Sequence, residues 1–254
     1  MEITFNNRVV LVTGASRGIG AATARLFAES GATVAVHYNN GRAAAGEVLA
    51  SLPGQGHCIV QADMADPSAL TNMVDELTGQ FGRIDVLVNN AGIFRELDMT
   101  GIGFDEFLEY WEQTIRVNLT GPALLSNLVA REMIRNGGGK IINVSSRGAF
   151  RGEPNAWAYG AGKAGLNSLG QSMAKALAKH KVYVYTIAPG FVDTEMAAAY
   201  LTGDKRIEIE SQSPMNRVAQ PEEIAGAILM LAADGTEYMT GCVLDMNGAS
   251  YLRT

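Results

Sequence analysis

The sequence predicts an α/β fold, a single-domain Rossmann-type doubly wound parallel sheet with helices on both faces. Short apolar runs rich in β-branched residues alternate with longer stretches of helical pattern. The apolar runs are continuous, as the strands of a parallel sheet covered on both faces must be. A glycine-rich segment connects the first run to the first helical stretch. Strand–helix alternation implies right-handed crossovers, so we expect one domain over residues 1–254.

Six apolar runs are predicted as strands, and most of the stretches that follow them as helices. The strands, in order, are residues 9–12, 33–36, 58–60, 86–88, 140–144 and 182–187. The helices are residues 21–30, 42–52, 67–81, 106–135 and 158–180, with another beginning at Pro221. Residues 194–215 follow neither pattern. We expect them to form an irregular insert that acts as a lid over a substrate.

The composition excludes several other classes of protein. Hydrophobic residues make up 47% of the chain, enough for a packed core, which excludes intrinsic disorder. The longest apolar stretch, residues 224–233, is too short for a bilayer span of about 20 residues, so no membrane association is expected. A net charge of -6 disfavours nucleic-acid binding. Cys58 and Cys242 form no metal or redox spacing, and the start of the sequence lacks a secretory signal pattern, which predicts the cytoplasm.

The glycine-rich segment covers residues 13–20, with glycines at Gly14, Gly18 and Gly20. Glycine permits a tight strand-to-helix turn, the approach of a diphosphate to the backbone, and close packing of helix on strand. The free N–H groups of the following helix point at such an anion. The segment therefore predicts a dinucleotide site, with a plain packing turn as the alternative.

Polar residues also follow later strands. Asp63 comes after the third predicted strand, and Asn90 lies in an Asn-Asn-Ala-Gly sequence after the fourth. Ligands of open α/β sheets bind at the carboxyl ends of the strands, so both positions are candidates for cofactor contacts. An aspartate at such a point is also typical of a turn or a helix N-cap, and that interpretation stays open.

Tyr159 and Lys163 are separated by four positions and therefore project from one face of a predicted helix. A nearby ammonium favours the phenolate, so we expect Lys163 to pull the pKa of Tyr159 from about 10 toward neutrality. Such a phenol is a useful proton donor or acceptor. Ser146, at a strand end, is placed to hydrogen-bond the reacting oxygen. A Tyr-x-x-x-Lys pattern alone occurs in many helices, and its combination with the other motifs predicts a function.

Together these motifs resemble those of the short-chain dehydrogenase/reductase family, over residues 9–248. The resemblance implies a catalytic set of Asn118, Ser146, Tyr159 and Lys163, and the family's usual spacing selects Ser146 over Ser145. It also implies cofactor contacts along the chain. These are Gly14, Ser16, Arg17, Gly18, Ile19, Gly20, Tyr38, Asn39, Asp63, Met64, Asn90, Ala91, Gly92, Tyr159, Lys163, Pro189, Gly190, Val192 and Thr194.

The implied activity is hydride transfer between a nicotinamide and a ketone or secondary alcohol. Tyr159 would exchange the proton, Ser146 would stabilise the oxygen, Lys163 would hold the nicotinamide ribose, and Asn118 would anchor a water. The C-terminal part is similar to the 3-oxoacyl-carrier-protein reductase branch, which implies a 3-oxoacyl thioester, an acyl carrier protein and a homotetramer. Residues 248–251, Gly-Ala-Ser-Tyr, depart from the Gly-Gly common in that branch.

The end of the second strand predicts which cofactor is preferred. NAD-binding folds carry an acidic residue there for the ribose hydroxyls, whereas this chain has no Asp or Glu between Glu29 and Glu47. A carboxylate would repel a 2′-phosphate, and the guanidinium groups of Arg17 and Arg42 would attract one. We expect preference for NADP(H), with acceptance of NAD(H) as the alternative.

Two other functions fit the same motifs less well. A non-catalytic cofactor sensor has no need of the tyrosine, and a sugar-nucleotide epimerase usually carries a larger C-terminal substrate domain. The histidines His37, His57 and His180 share no spacing typical of a metal site or a nucleophile pair, so we expect them to be structural and expect no metal.

Overall fold

Seven strands form one parallel sheet in the computed structural model, which describes residues 3–253. The strands are β1 (Val9–Val12), β2 (Thr33–Tyr38), β3 (Cys58–Gln61), β4 (Val86–Asn89), β5 (Gly139–Val144), β6 (Val182–Pro189) and β7 (Val243–Met246). Their order across the sheet is β3-β2-β1-β4-β5-β6-β7, and every neighbouring pair is parallel. The predicted doubly wound α/β fold is confirmed.

The helices connect successive strands. They are α1 (Gly18–Glu29), α2 (Arg42–Ser51), α3 (Pro67–Phe81), α4 (Phe104–Ile115), α5 (Gly121–Arg135), α6 (Gly148–Arg151), α7 (Trp157–Leu177), α8 (Gly203–Ser211) and α9 (Pro221–Ala232). None of the helices between residues 3 and 253 has the length and apolar character needed to span a bilayer.

Two hydrophobic cores lie on opposite faces of the sheet. Val10 and Val12 of β1 pack on the face covered by α1, α2 and α9, whereas Leu11 packs on the face covered by α3, α5 and α7. Successive strand residues point to opposite faces, so each must be apolar when both faces are covered. This explains why the apolar runs in the sequence are continuous.

The ends of α3 show why its predicted range was right. Pro67 occupies the first turn, where a missing N–H costs nothing, and the Asp66 carboxylate accepts a hydrogen bond from the Ser68 N–H at 2.8 Å. Gly82 ends the helix in the left-handed conformation, with φ of 73°. These are local signals, and they act without help from the rest of the fold.

The prediction of one helix over residues 106–135 was wrong. The structure has α4, then a π-helical turn over Arg116–Thr120, then α5. Pro122 lies in the first turn of α5 and has no N–H to donate to the carbonyl of Asn118, its partner in a regular α-helix. The regular pattern therefore breaks at this point, within a run that is otherwise helical.

Two other elements differ from the prediction. The insert at residues 194–215 is not wholly irregular, since it contains α8, a helix with no buried residue. Strand β7 was missed, because all four of its residues are only half-buried at the edge of the sheet and include Asp245. The sequence pattern of such an edge strand is weak, since only its inner side contacts another strand.

Candidate active site

The order of the strands creates a crevice between the ends of β1 and β4. The chain passes from β1 outward to β3 on one side and from β4 outward to β7 on the other. Loops that leave β1 and β4 therefore diverge, and ligands of open α/β sheets bind at such a point. Most of the predicted cofactor residues lie in the loops or first helical turns that follow β1, β2, β3, β4 and β6. Tyr38 and Pro189 are the last residues of β2 and β6, and Tyr159 and Lys163 lie on α7, after β5.

The glycine-rich loop is held by His37, a fully buried residue of β2. The Gly14 N–H donates to His37 Nδ1 at 2.9 Å, and the Ala15 N–H donates to the His37 carbonyl at 2.8 Å. Because Nδ1 accepts, Nε2 carries the proton and donates to the Ala62 carbonyl at 3.0 Å. Burial lowers the pKa of His37 to about 4, so the ring is neutral near pH 7. We expected a structural histidine, and the structure shows the loop that it supports.

Asn90 connects the end of β4 to the same loop. Its N–H donates to Thr13 Oγ1 at 2.9 Å, and its Nδ2 donates to the Thr13 carbonyl at 2.8 Å. Gly14 has a φ of +62°, and a Cβ there would come within 2.9 Å of Ala91 Cα. Only glycine fits this position, because both the backbone conformation and the close approach exclude a side chain.

The start of α1 fits the diphosphate of a dinucleotide. No side chain caps this end of the helix, and its first turn contains no acidic residue. Its N–H groups are therefore open to an anion, at the edge where the glycine loop keeps the backbone free of side chains. A nicotinamide dinucleotide suits this combination of loop and helix.

Two of the predicted cofactor side chains make other contacts. Arg17 Nη1 pairs with Glu195 Oε2 of the insert at 2.9 Å and does not lie at the end of β2. Arg42 occupies that place, with its Nη1 3.4 Å from the Tyr38 hydroxyl. Asp63 accepts a hydrogen bond from the Ala65 N–H at 2.8 Å, as a turn residue does.

The catalytic candidates Ser146, Tyr159 and Lys163 meet at the carboxyl end of β5. Lys163 is buried, its Nζ donates to the Val144 carbonyl at 2.8 Å, and it lies 5.8 Å from the centre of the Tyr159 ring. Ser146 Oγ accepts from the Gly148 N–H at 3.0 Å, which leaves its own proton for another oxygen.

The expected lowering of the Tyr159 pKa is not found. Burial raises the pKa of Tyr159, hydrogen bonding with Ser146 opposes that rise, and the charge of Glu153 adds to it. Burial also lowers the pKa of Lys163 to about 8. Desolvation acts against the charged form of each group, and here it outweighs the attraction that the spacing of the two residues suggests.

Asn118 lies in the π turn, and both polar atoms of its side chain bond to the backbone of Ile93. Oδ1 accepts from the Ile93 N–H and Nδ2 donates to the Ile93 carbonyl, both at 2.8 Å. The Asn118 carbonyl lacks its α-helical partner, since that partner is Pro122. Gly92 brings the groups together, because a Cβ there would lie 3.2 Å from Asn118 Oδ1 and 3.4 Å from Lys163 Nζ.

Two aromatic residues near Tyr159 were not predicted as site residues from the sequence. The Phe94 ring packs edge-on against Tyr159 with centroids 4.8 Å apart, and Tyr200 of the insert packs against Phe94 at 5.6 Å. Phe94 is the second residue after the Asn-Asn-Ala-Gly sequence, which was a usable signal. No local pattern marks Tyr200, since the fold alone brings the insert to this point.

Comparison with known proteins agrees with this geometry. A family model described as "Enoyl-(Acyl carrier protein) reductase" matches residues 14–248. The chain is 38% identical to a cis-4-hydroxycyclohexanecarboxylate dehydrogenase of Sinomonas cyclohexanicum, over 98% of both chains. It is 37% identical to a 3-oxoacyl-[acyl-carrier-protein] reductase FabG of Chlamydia trachomatis, over 95% of this chain and 96% of that one.

A solved structure titled "Crystal structure of gox2181" superposes with a TM-score of 0.90 and 28% identity, covering 98% of this chain and 97% of the other. The two named relatives are enzymes, and they do not favour the alternative of a non-catalytic sensor. The chain belongs to the short-chain dehydrogenase/reductase family of NAD(P)(H)-dependent oxidoreductases, which transfer hydride to or from a ketone or secondary alcohol.

Proposed function

We propose that residues 1–254 form one catalytic domain that prefers NADP(H) and reduces a ketone, with a 3-oxoacyl thioester as the first substrate to test. The observation that carries this proposal is a chain of contacts at one site. Gly92 lies against Asn118 and Lys163, Lys163 Nζ is 5.8 Å from the centre of the Tyr159 ring, and Tyr159 hydrogen-bonds with Ser146. The catalytic roles of these residues, and the cofactor contacts expected at the strand ends, belong to the same proposal.

Tyr159 is the proton donor of the proposed reduction. Because burial raises its pKa, the phenol is protonated near neutral pH and can donate to the alkoxide that forms as hydride reaches the carbonyl carbon. The bound nicotinamide supplies the hydride. In the oxidative direction the same residue takes the proton, and its raised pKa then makes the reaction favour higher pH.

Ser146 stabilises the same oxygen. The Gly148 N–H occupies an acceptor site of Oγ, so the Ser146 hydroxyl is oriented and its proton is free for the substrate oxygen. Lys163 holds the nicotinamide ribose with the ammonium hydrogens that Val144 does not use. The Asn118 side chain bonds to Ile93, and its main-chain carbonyl receives no N–H from Pro122, so this carbonyl is the atom proposed to hold the water.

The cofactor preference is supported by the surroundings of Tyr38. Arg42 is beside the Tyr38 hydroxyl, and no carboxylate follows β2 before Glu47. Arg42 is therefore the first candidate for the 2′-phosphate, and Arg17 becomes available when its pair with Glu195 opens. NAD(H) fits the same crevice without this charge interaction.

Assembly and location complete the proposal. Large apolar side chains are exposed on α4, α5 and α7, among them Phe104, Leu108, Leu124 and Trp157, and we propose that they pack in a homotetramer. Cys58 and Cys242 are both free, which suits the reducing cytoplasm. An acyl carrier protein is the proposed partner if the substrate is a carrier-bound thioester.

Steady-state kinetics with matched substrates test the proposal. The panel contains a 3-oxoacyl thioester, the corresponding enoyl thioester, 4-oxocyclohexanecarboxylate and the neutral ketone 4-methylcyclohexanone, each with NADPH and NADH. We expect reduction of at least one ketone, with kcat/KM for NADPH above that for NADH. Turnover of the enoyl thioester alone would refute ketone reduction, and equal kcat/KM for the two cofactors would refute the preference.

A further inference from the structure

Arg147 directly follows Ser146 in the chain, yet its side chain lines a different cavity. This cavity, of about 420 Å³, is enclosed by the insert, the segment after β6 and the C-terminal segment, and neither Ser146 nor Tyr159 lines it. The mechanism proposed above makes no use of Arg147. The volume of the cavity is within the range of small-molecule sites, roughly 300–1,000 Å³.

The Arg147 guanidinium is buried, and its hydrogen-bond partners are neutral side chains. Its side chain is 3% exposed, Nη1 donates to Ser250 Oγ, Nη2 donates to Gln212 Oε1 at 2.9 Å, and the group lies 5.5 Å from the centre of the Phe191 ring. Within residues 3–253, no carboxylate oxygen lies within 4.0 Å of it. A buried cation without a paired anion is costly, because water no longer solvates it.

The other charged residues around this cavity are already paired. Arg217 binds Glu223 at 2.6 Å, and Arg253 binds Asp245 at 2.8 Å. Glu153 lies near Arg147 but is paired with Arg151 at 3.4 Å. These pairs cancel, so the Arg147 charge is the one without compensation in the described lining.

The remaining lining favours an apolar ligand body. Phe191, Ile209, Met215, Tyr251 and Leu252 all contribute to the cavity wall. A guanidinium has five N–H donors in a planar fork that matches a carboxylate, and the contacts to Ser250 and Gln212 use two of them. The cavity therefore presents one guanidinium, with unused N–H donors, within a largely apolar wall.

We propose that this cavity binds the carboxylate of a small apolar acid at Arg147. The acid can be part of the substrate, which would then extend from the reacting carbon past the Phe191 segment, or it can be a separate molecule that regulates the enzyme. Both sources present the same group to Arg147. Binding of the acid at Arg147 does not depend on the proposed ketone reduction. The kinetic test that distinguishes a substrate from a regulator does rest on that proposed function.

Substitutions at Ser250 test the proposal without removing Arg147. Ser250→Asp places an internal carboxylate beside the guanidinium, and Ser250→Asn is the neutral control of nearly the same shape. We expect Ser250→Asp to raise Tm by about 2 °C or more relative to Ser250→Asn, because it compensates the buried charge. In isothermal titration, cyclohexanecarboxylate should bind the wild-type protein and Ser250→Asn but bind Ser250→Asp at least about tenfold more weakly.

Arg147→Met provides the direct comparison, and Arg217→Met is its control from the same cavity wall. Arg147→Met should lose the binding of cyclohexanecarboxylate, whereas Arg217→Met should retain it. Neutral cyclohexanemethanol should bind none of the proteins as tightly. The proposal is overturned if the wild-type protein does not bind the acid, or if Ser250→Asp binds it as well as Ser250→Asn does.

Kinetics then distinguish the two sources of the carboxylate. If it belongs to the substrate, Arg147→Met should raise KM for 4-oxocyclohexanecarboxylate at least about tenfold and leave 4-methylcyclohexanone unchanged. If it belongs to a regulator, cyclohexanecarboxylate should change kcat for the neutral ketone without competing with it. An enzyme that reduces no ketone refutes the proposed function, while the titrations still decide the site.

Discussion

The glycine loop and the insert face the same crevice, but they are built differently. The loop is anchored by buried contacts, in which His37 accepts from Gly14 and Asn90 donates to Thr13. The helix of the insert has no buried residue, and the contact between the two regions includes the Arg17–Glu195 ion pair, whose side chains are 66% and 69% exposed. The cofactor side is therefore preformed, whereas we predict that the insert gains order when a ligand binds.

The largest effect is expected from a substitution that separates catalysis from cofactor binding. Tyr159→Phe keeps the ring packing against Phe94 and removes the proton donor, so kcat should fall at least about 10²-fold. Cofactor affinity should stay nearly unchanged, because the glycine loop is intact. Tyr200→Phe, in the insert, is the control and should cost far less. Stopped-flow and steady-state rates measure both, and near-normal turnover by Tyr159→Phe would remove this residue from the mechanism.

The same experiment distinguishes the adjacent serines. Ser145 Oγ donates to the Lys163 carbonyl at 3.2 Å and is buried, so Ser145→Ala should affect mainly stability. Ser146→Ala should lower kcat by more than Ser145→Ala does. The reverse order of the two kcat values would move the catalytic serine by one position.

A smaller effect is expected from the anchor of the loop. His37→Phe leaves the Gly14 N–H without an acceptor, which should cost about 1–3 kcal/mol of stability and weaken cofactor binding about tenfold. His57→Phe is a matched control, since His57 Nδ1 accepts from the Val34 N–H at 3.0 Å, in the same sheet but away from the loop. Fluorescence titration with NADPH should show a weaker Kd for His37→Phe alone. Equal Kd values for the two variants would mean that the loop needs no support from His37.

The pH dependence of reduction follows from Lys163. With a pKa of about 8, its ammonium is present below that pH and lost above it. The value of kcat/KM for NADPH, which reports the free enzyme, should therefore fall about fivefold between pH 8 and pH 9. A flat profile over this range would show that the charge of Lys163 does not control cofactor capture.

The smallest effect should come from the contact between the two regions. Glu195→Gln removes an exposed ion pair, which is worth at most about 1 kcal/mol, so Tm should hardly change. Hydrogen exchange should nevertheless become faster in residues 194–215 and stay constant in residues 13–20. In the wild-type protein the insert should gain protection when cofactor and substrate are both bound. Equal protection with and without ligands would contradict the proposed lid.

The sequence predicted the fold well because its signals are local. Continuous apolar runs follow from a sheet covered on both faces, and Pro67 and Gly82 mark the ends of α3 directly. The spacing of Tyr159 and Lys163 likewise depends only on helix geometry. The catalytic roles of these residues, the lid and the single domain stay predictions.

Other features could not be predicted, because they depend on tertiary contacts. The histidine ring at position 37 meets Gly14 only when β1 and β2 are paired, and Arg17 meets Glu195 only when the insert has folded back. The raised pKa of Tyr159 is caused by burial, and the spacing of Tyr159 and Lys163 in the sequence gives no information about burial. Pro122 was visible in the sequence, and its effect on the helix should have been predicted.

The π turn at Arg116–Thr120 also sets the rotation of α5 about its own axis. In an α-helix each residue turns the chain by about 100°, so one residue more or fewer in this turn rotates all of α5 about its axis by that angle. Leu125 and Val129 now face the sheet, and such a rotation would carry them toward solvent. The number of residues in this turn is therefore as important as their identity. Deleting a single residue here should damage the core and the active site together.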